Sequence, residues 1–325
     1  MHGEGKTVKN KKTQLKGVLM LLLTALVWGS SFVAQSVGME QVDAFTFNGI
    51  RTLMGAAVLL PFIVVRDRLQ TRKMTAQQRL EQKKANKRVM RYGCILGAVF
   101  CAASNLQQFA FYDSTAGKIA FITALYMFFV PLLGLFLGKK VPWMTWLCVL
   151  TGFVGLGFLC IDPCQASAIN KGDLLTLLCA VFYAVHILLI ERFVAHEDGL
   201  KLSCVQFAVS GTISCILMFV FEQPRWEAVQ AALVPLLYSG VMSCGLAYTF
   251  QILGQKYTEA TLASLIMCLE SVFGVLSAAL ILQQTLSGRE ILGCVLMFAA
   301  IIVLQLWEGF LAKKATFAEQ KQKNT

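Results

Sequence analysis

The chain has 325 residues, of which 57% are hydrophobic and 14% charged, where an average soluble domain carries about a quarter charged residues. That deficit argues against a soluble globular protein. The net charge of +11, from 29 Lys and Arg against 18 Asp and Glu, would suggest nucleic acid if it lay on one folded face, but its placement along the chain assigns it elsewhere.

Apolar runs of about 20 residues recur, each long enough to cross roughly 30 Å of hydrocarbon. Ten are expected. In chain order they run from Gly17 to Val37, Ala44 to Val65, Tyr92 to Tyr112, Ala116 to Gly138 and Trp143 to Ile161. The second set runs from Gly172 to Ile190, Leu202 to Phe221, Ala232 to Gly254, Ala260 to Leu282 and Ile291 to Phe310. The runs are continuous rather than alternating, so they predict helices and not barrel strands. The first run is too long for a signal peptide, and no small-residue cleavage site follows it, so it is read as the first span.

Lys and Arg set the expected orientation. With the amino terminus in the cytoplasm, Lys6, Lys9, Lys11, Lys12 and Lys16 fall on the same side as ten basic residues in a loop at 66–91. Lys139, Lys140, Arg192, Lys201, Lys256 and the lysines of the tail at 313–325 join them. Only Arg51, Lys118, Lys171, Arg225 and Arg289 lie outside or within spans. This positive-inside pattern predicts a multi-pass protein of the cytoplasmic membrane with both termini cytoplasmic. The basic surplus then serves topology and the lipid bilayer, and nucleic acid is not expected as a partner. The 11 cysteines sit mostly in apolar runs, where a thiol behaves as a small hydrophobe. Cys160 and Cys164 could meet near the outer face, although inert packing is favoured. No Cys and His spacing matches a zinc site, and neither metal nor cofactor is expected.

The chain also matches itself. At an offset of 155, Gly17, Leu19, Leu22, Leu23 and Ala25 fall on Gly172, Leu174, Leu177, Leu178 and Ala180, Trp28 on Tyr183 and Asp43 on Asp198. At an offset of 143, Gly97 falls on Gly240, Gln108 on Gln251 and Thr115 on Thr258. The basic loop accounts for the change. The fold class expected is therefore an all-α membrane protein of ten transmembrane helices in two five-helix repeats, 13–163 and 169–312. An odd number of spans per unit inverts the second copy, which puts a site near the midplane between the halves.

Polar groups in hydrocarbon carry the functional reading, because a charge at mid-membrane costs about 2.5–3.5 kcal/mol on insertion scales. Glu270 lies thirteen residues past Tyr257, about 20 Å along a helix. It reads either as a proton-titrating or cation-binding carboxylate, or as one paired between helices. His186, opposite Ser31 in the repeat, could relay protons or bind an anionic group, or simply pack. Arg51 could clamp a substrate carboxylate, or snorkel or pair with Asp43. Lys118 is read as an interfacial snorkeller. The third span carries Ser104, Asn105, Gln107 and Gln108, and the eighth Ser243, Tyr248, Thr249 and Gln251. With Trp28, Ser30, Ser31, Tyr126 and Tyr183 they suit a cavity for a small amphipathic solute. Pro131 should kink the fourth span and could serve as a hinge.

Taken together, Trp28-Gly29-Ser30-Ser31-Phe32, Arg51, Ser114-Thr115-Ala116-Gly117-Lys118 leading to Val130-Pro131-Leu132, and Gly172-Asp173-Leu174-Leu175 resemble EamA-type transporters of the drug/metabolite transporter superfamily. The resemblance covers nearly the whole chain. It implies ten helices in two inverted repeats, cytoplasmic termini, and movement of amino acids, metabolites or drugs, with the first four helices of each half around a central cavity. Two departures stand out: Leu269-Glu270-Ser271 replaces Leu-Glu-Pro, and Gln283-Gln284 replaces a Gly-Glu pair. No ATP-binding loop is present. The expected function is secondary transport of a small organic solute, with export favoured over import and protons as a candidate coupling ion through Glu270 or His186. The competing readings are a membrane sensor or scaffold docking through the basic loop, and an intramembrane lipid-modifying enzyme. The enzyme reading lacks a nucleophile or metal constellation, since His196-Glu197-Asp198 has no second histidine at the needed spacing.

Overall fold

The computed structural model describes residues 11–72, 74–160, 169–282 and 287–323. They form an all-helical bundle with no strand among them. The first half holds α1 (Lys11–Met39), α2 (Ala44–Thr71), α3 (Ala76–Ala110), α4 (Ala116–Thr123), α5 (Tyr126–Phe136) and α6 (Trp143–Cys160). The second holds α7 (Lys171–Val194), α8 (Gly199–Phe221), the short α9 (Trp226–Ala231) and α10 (Leu233–Leu237), a π-helical segment (Tyr238–Ala247), α11 (Tyr248–Gln255), α12 (Ala260–Met267), α13 (Leu269–Leu282) and α14 (Gly288–Lys323). Eight stretches among the described residues are long and apolar enough to cross a membrane, and Trp143–Phe158 and Ala260–Gly274 are shorter apolar helices where the fifth and ninth spans were expected. Large apolar side chains such as Phe62, Phe136, Phe219 and Val234 point outward, as a lipid-facing surface requires. The protein is a multi-pass membrane protein.

Local chemistry places the helix starts. Thr75 and Gln78 form a capping box at the head of α3, and Asn170 and Asp173 form one at the head of α7. Asp198 accepts from the Leu200 and Lys201 amides to start α8. The box at Thr75 corrects one expectation: 66–91 is not a loop. α2 continues to Thr71 and α3 begins at Ala76, because the Gln, Glu, Lys and Arg that make this stretch polar are, like its Ala, strong helix formers. Likewise, 313–323 continues α14 rather than forming a separate tail.

The fourth expected span is interrupted at Ala124 and Leu125, between α4 and α5, and the ninth at Cys268, between α12 and α13. The two interruptions touch, with the Cys268 thiol donating to the Ala124 carbonyl (3.5 Å). Pro131 lies inside α5, which runs through it, so the break falls more than a turn before the proline expected to make it.

Helices pair across the chain's midpoint. α2 packs on α8, α6 on α14, α3 on α7 and α8, and α1 on α13, α11 and the π-helical segment. Small residues permit the closest contacts. A Cβ on Gly29 would lie 2.4 Å from the Glu270 carbonyl oxygen and 2.7 Å from the Gly274 nitrogen, so α1 and α13 meet backbone to backbone. Gly93 and Gly97 similarly face Val205, Gln206 and Val209 of α8.

Candidate functional site

The two ends of the bundle are tied by charge. At one end, Arg66 pairs with Asp198 (2.5 Å), Arg88 with Glu197 (2.6 Å) and Lys201 with Asp67 (2.5 Å). Lys139 pairs with Glu191, whose Oε1 also accepts from the Ala260 amide at the head of α12 (3.0 Å). At the other end, the Asp43 side chain leaves the head of α2 uncapped. Glu222, at the end of α8, supplies the cap, accepting from the Phe45 amide (2.7 Å), the Thr46 amide (2.8 Å) and the Thr46 hydroxyl (2.7 Å). Lys118 pairs with Asp173 (2.5 Å) at that end instead of snorkelling, and the Ser114 hydroxyl donates to the same carboxylate (2.9 Å). These ligands hold Asp43's neighbourhood and the α7 head in fixed geometry.

Between the ends lies a narrow cavity of about 30 Å³. α1 contributes Trp28, Ser31, Phe32 and Gln35, a single face at helical spacing. Arg51 of α2, Gln107 of α3, Thr123 of α4 and Tyr126 of α5 complete the first half's share. Tyr183 and Ile187 of α7, Ser243 of the π-helical segment, Tyr248 and Gln251 of α11, and Glu270 of α13 come from the second. The walls are aromatic: Trp28 and Tyr248 lie 4.5 Å apart between ring centroids. Along them, the Tyr183 hydroxyl contacts Tyr248 (3.3 Å) and donates to Gln107 (3.4 Å), whose amide donates to Thr123 (3.1 Å).

Two ionisable groups, Arg51 and Glu270, face this space. Arg51, 2% exposed, donates to Asn48 (2.8 Å) and Gln35 (2.8 Å) and stacks over Phe47 (5.6 Å). Asp43 is not its partner; that carboxylate accepts from Tyr112 (3.2 Å). Glu270 is 3% exposed, and its Oε1 has no hydrogen-bond partner among the described residues. The Tyr126 hydroxyl, the Trp28 indole nitrogen and the Ser31 hydroxyl are equally unpartnered. Buried polar atoms without partners are rare, and here they converge on one space that a ligand with donors and acceptors would satisfy.

Of the residues expected from the sequence to line a cavity, Trp28, Ser31, Arg51, Gln107, Tyr126, Tyr183, Ser243, Tyr248, Gln251 and Glu270 do meet there. Six stand elsewhere. Ser104 accepts from Asn48 (2.9 Å), and Thr249 shares a hydrogen bond with Ser203 (2.9 Å). Ser30 shares a hydrogen bond with Tyr238 (2.6 Å). Asn105 is spent on Asn48, the Cys101 carbonyl and Ser214, in a polar layer between α2, α3 and α8. His186 is bonded to Gln206 (3.0 Å), and Gln108 is fully buried outside the lining. Sequence reasoning missed Phe32, Gln35, Thr123 and Ile187. Gln35 carried a usable signal, lying seven residues from Trp28 on the same face. Cys164 and the Gln283-Gln284 departure lie outside the described residues, as does the Cys160 side chain. No group of three or more metal-ligating side chains occurs among the described residues.

The EamA-like transporter family's sequence profile matches the chain twice, over residues 15–161 and 170–306. The chain belongs to the EamA-like transporter family. It is 26% identical over 290 residues to an "uncharacterized transporter" of Archaeoglobus fulgidus, covering 89% of this chain and 85% of that protein. It is 23% identical over 297 residues to the "uncharacterized transporter YoaV" of Bacillus subtilis, covering 89% and 96%. A solved crystal structure superimposes with a TM-score of 0.73 over 92% of this chain and 98% of its own, at 17% identity, which establishes a shared fold. This EamA-like protein is therefore a membrane transporter for a small-molecule substrate.

Proposed function

We propose that this EamA-like transporter is a secondary transporter that exports a small organic solute across the cytoplasmic membrane by alternating access. Its architecture in this reading is ten spans in two inverted five-helix repeats, 13–163 and 169–312, with both termini in the cytoplasm. The observation that carries the reading is the cavity drawn from both halves of the chain, with an unpartnered carboxylate oxygen on Glu270 at its wall. The double match to the family profile supports the repeat. So does the packing, in which α2 meets α8 and α6 meets α14, each expected span against its counterpart. The interruptions at Ala124 and Cys268 fall at corresponding places in the fourth and ninth spans, where broken helices characteristically frame transport sites. These interruptions, with Pro131 nearly two turns beyond the first, form the hinge region. Solute binds between Arg51 and Glu270 against the aromatic walls. Energy comes from the proton gradient, with Glu270 as the group that exchanges a proton for the solute.

The test compares metabolites outside cells overproducing the wild-type chain, a Glu270→Gln variant at equal membrane level, and an empty vector. A compound released by the wild type alone identifies the solute class and ties Glu270 to transport. Identical profiles in all three, with insertion verified, would sink the export reading.

A further inference from the structure

A polar stripe leaves the cavity along α11. Gln251 lines the cavity, Gln255 lies one turn on along the same helix face, and Thr258 follows just past the helix end. There the bundle reaches its basic end, where Lys16 rests over the Tyr257 ring (5.9 Å). All three stripe residues are buried, and a side-chain oxygen of each has no hydrogen-bond partner among the described residues.

The stripe is joined to a second group. The Gln255 amide donates to the Ile187 carbonyl (3.0 Å), and the Ile187 side chain itself lines the cavity. Beside it, His186 Nε2 and Gln206 Oε1 are hydrogen-bonded, and His186 Nδ1 and Gln206 Nε2 have no hydrogen-bond partner among the described residues. Five unsatisfied polar atoms thus lie on or just beyond three adjoining helices, α7, α8 and α11. In a protein interior each such group is costly to leave unsatisfied, and apolar side chains would fill the same space at no such cost. Three oxygen acceptors, an amide donor and an imidazole nitrogen of either character have one small common partner, which is water.

The repeat register provides a contrast within the molecule. It sets Gln108, Tyr112 and Thr115 of the first half against Gln251, Gln255 and Thr258. In the first half the stripe is closed: the Tyr112 hydroxyl donates to Asp43 and accepts from the Ala44 amide, and Thr115 caps α4. Only Gln108 is left unsatisfied there.

We infer that Gln251, Gln255 and Thr258, with His186 and Gln206, form a water-filled branch from the cavity to the basic end of the bundle, too narrow for solute and open to protons. The titratable groups around it are Tyr248 and Glu270 at the cavity, His186 bonded to Gln206, and Lys16, Lys256, Tyr257 and Glu259 at its mouth, with Glu191 on the Ala260 amide and Lys139 paired to Glu191. The proton traffic rests on the proposed role of Glu270; the water does not.

Amide hydrogen exchange of the full chain in lipid nanodiscs, with deuterium oxide as the probe, tests this directly. Residues 248–255 should exchange about tenfold faster than residues 105–112, and Gln255→Leu should slow them towards the first-half rate while leaving other helices unchanged. The π-helical segment could speed exchange by itself, and the leucine variant separates that cause from water. Equal protection of the two stretches overturns the inference, as does fast exchange that survives Gln255→Leu. If Gln255→Leu loses protection everywhere, it has unfolded, and Gln206→Leu, read on 183–190 by the same criteria, decides. A failure of Glu270→Gln to alter metabolite release would overturn the proposed role of Glu270 and leave this exchange pattern standing.

Discussion

The ends of the bundle and its middle treat polar groups in opposite ways. At the ends, Glu222, Asp173, Asp198, Glu197 and Glu191 are each matched to a cation, a helix head or both. In the middle, Glu270, Tyr126, Trp28 and Ser31 hold buried polar atoms with no hydrogen-bond partner among the described residues. The difference teaches where the fold spends its hydrogen bonds on holding helices together and where it leaves them for something that enters. The ends are built for stability, and the middle is built for exchange with a guest.

Glu270→Gln should break this contrast most sharply. It keeps the shape of the cavity and removes the exchangeable proton, so solute release should fall by about a hundredfold while thermal stability in detergent stays within a degree or two of wild type or rises, since an amide of the same shape replaces a buried carboxyl. A variant that instead melts early would mean the carboxylate is a structural partner. Gly29→Ala comes next, because the added methyl meets the backbone of Glu270 and Gly274, which cannot step aside. A loss of about 1–3 kcal/mol of stability is expected, with binding impaired as α1 shifts; unfolding in graded denaturant would read it. Glu222→Ala uncaps α2 and should cost about 2 kcal/mol without changing which solute is carried, a combination visible as a lowered melting temperature with an unaltered transport profile. Lys139→Ala removes one half-exposed ion pair, so a change below about 1 kcal/mol is expected. A larger effect would show that the pair holds Glu191 on the head of α12.

Much of the fold was legible from the runs of apolar residues, because a helix in hydrocarbon must satisfy its own backbone and so announces itself by length. The interruptions were not. Those at Ala124 and Cys268 have no proline or glycine at the break, and the one proline expected to mark a kink, Pro131, lies inside a continuous helix. The π-helical stretch from Tyr238 to Ala247 likewise carries no local signature. At the site, large polar and aromatic residues gave themselves away by being in the wrong solvent. Yet depth alone does not say which way a side chain points: Asn105 and His186 are as deep as the lining residues and are turned to other helices. Ile187 lines the cavity with an aliphatic side chain that sequence cannot tell from core. The Glu222 cap links residues 177 positions apart, a distance at which no local pattern operates.

The backbone seam at Gly29 has a mechanical consequence. Trp28 and Glu270 belong to different halves of the sequence, yet α1 and α13 are pressed too closely to slide or separate without breaking their packing. α7 is joined in the same crosswise manner to α3, α4 and α5. The two halves of the chain are therefore interlocked rather than packed as separate blocks. The contact of α1 with α13 ties the helix of Trp28 to that of Glu270, and the contact of α5 with α7 ties the helix of Tyr126 to that of Tyr183.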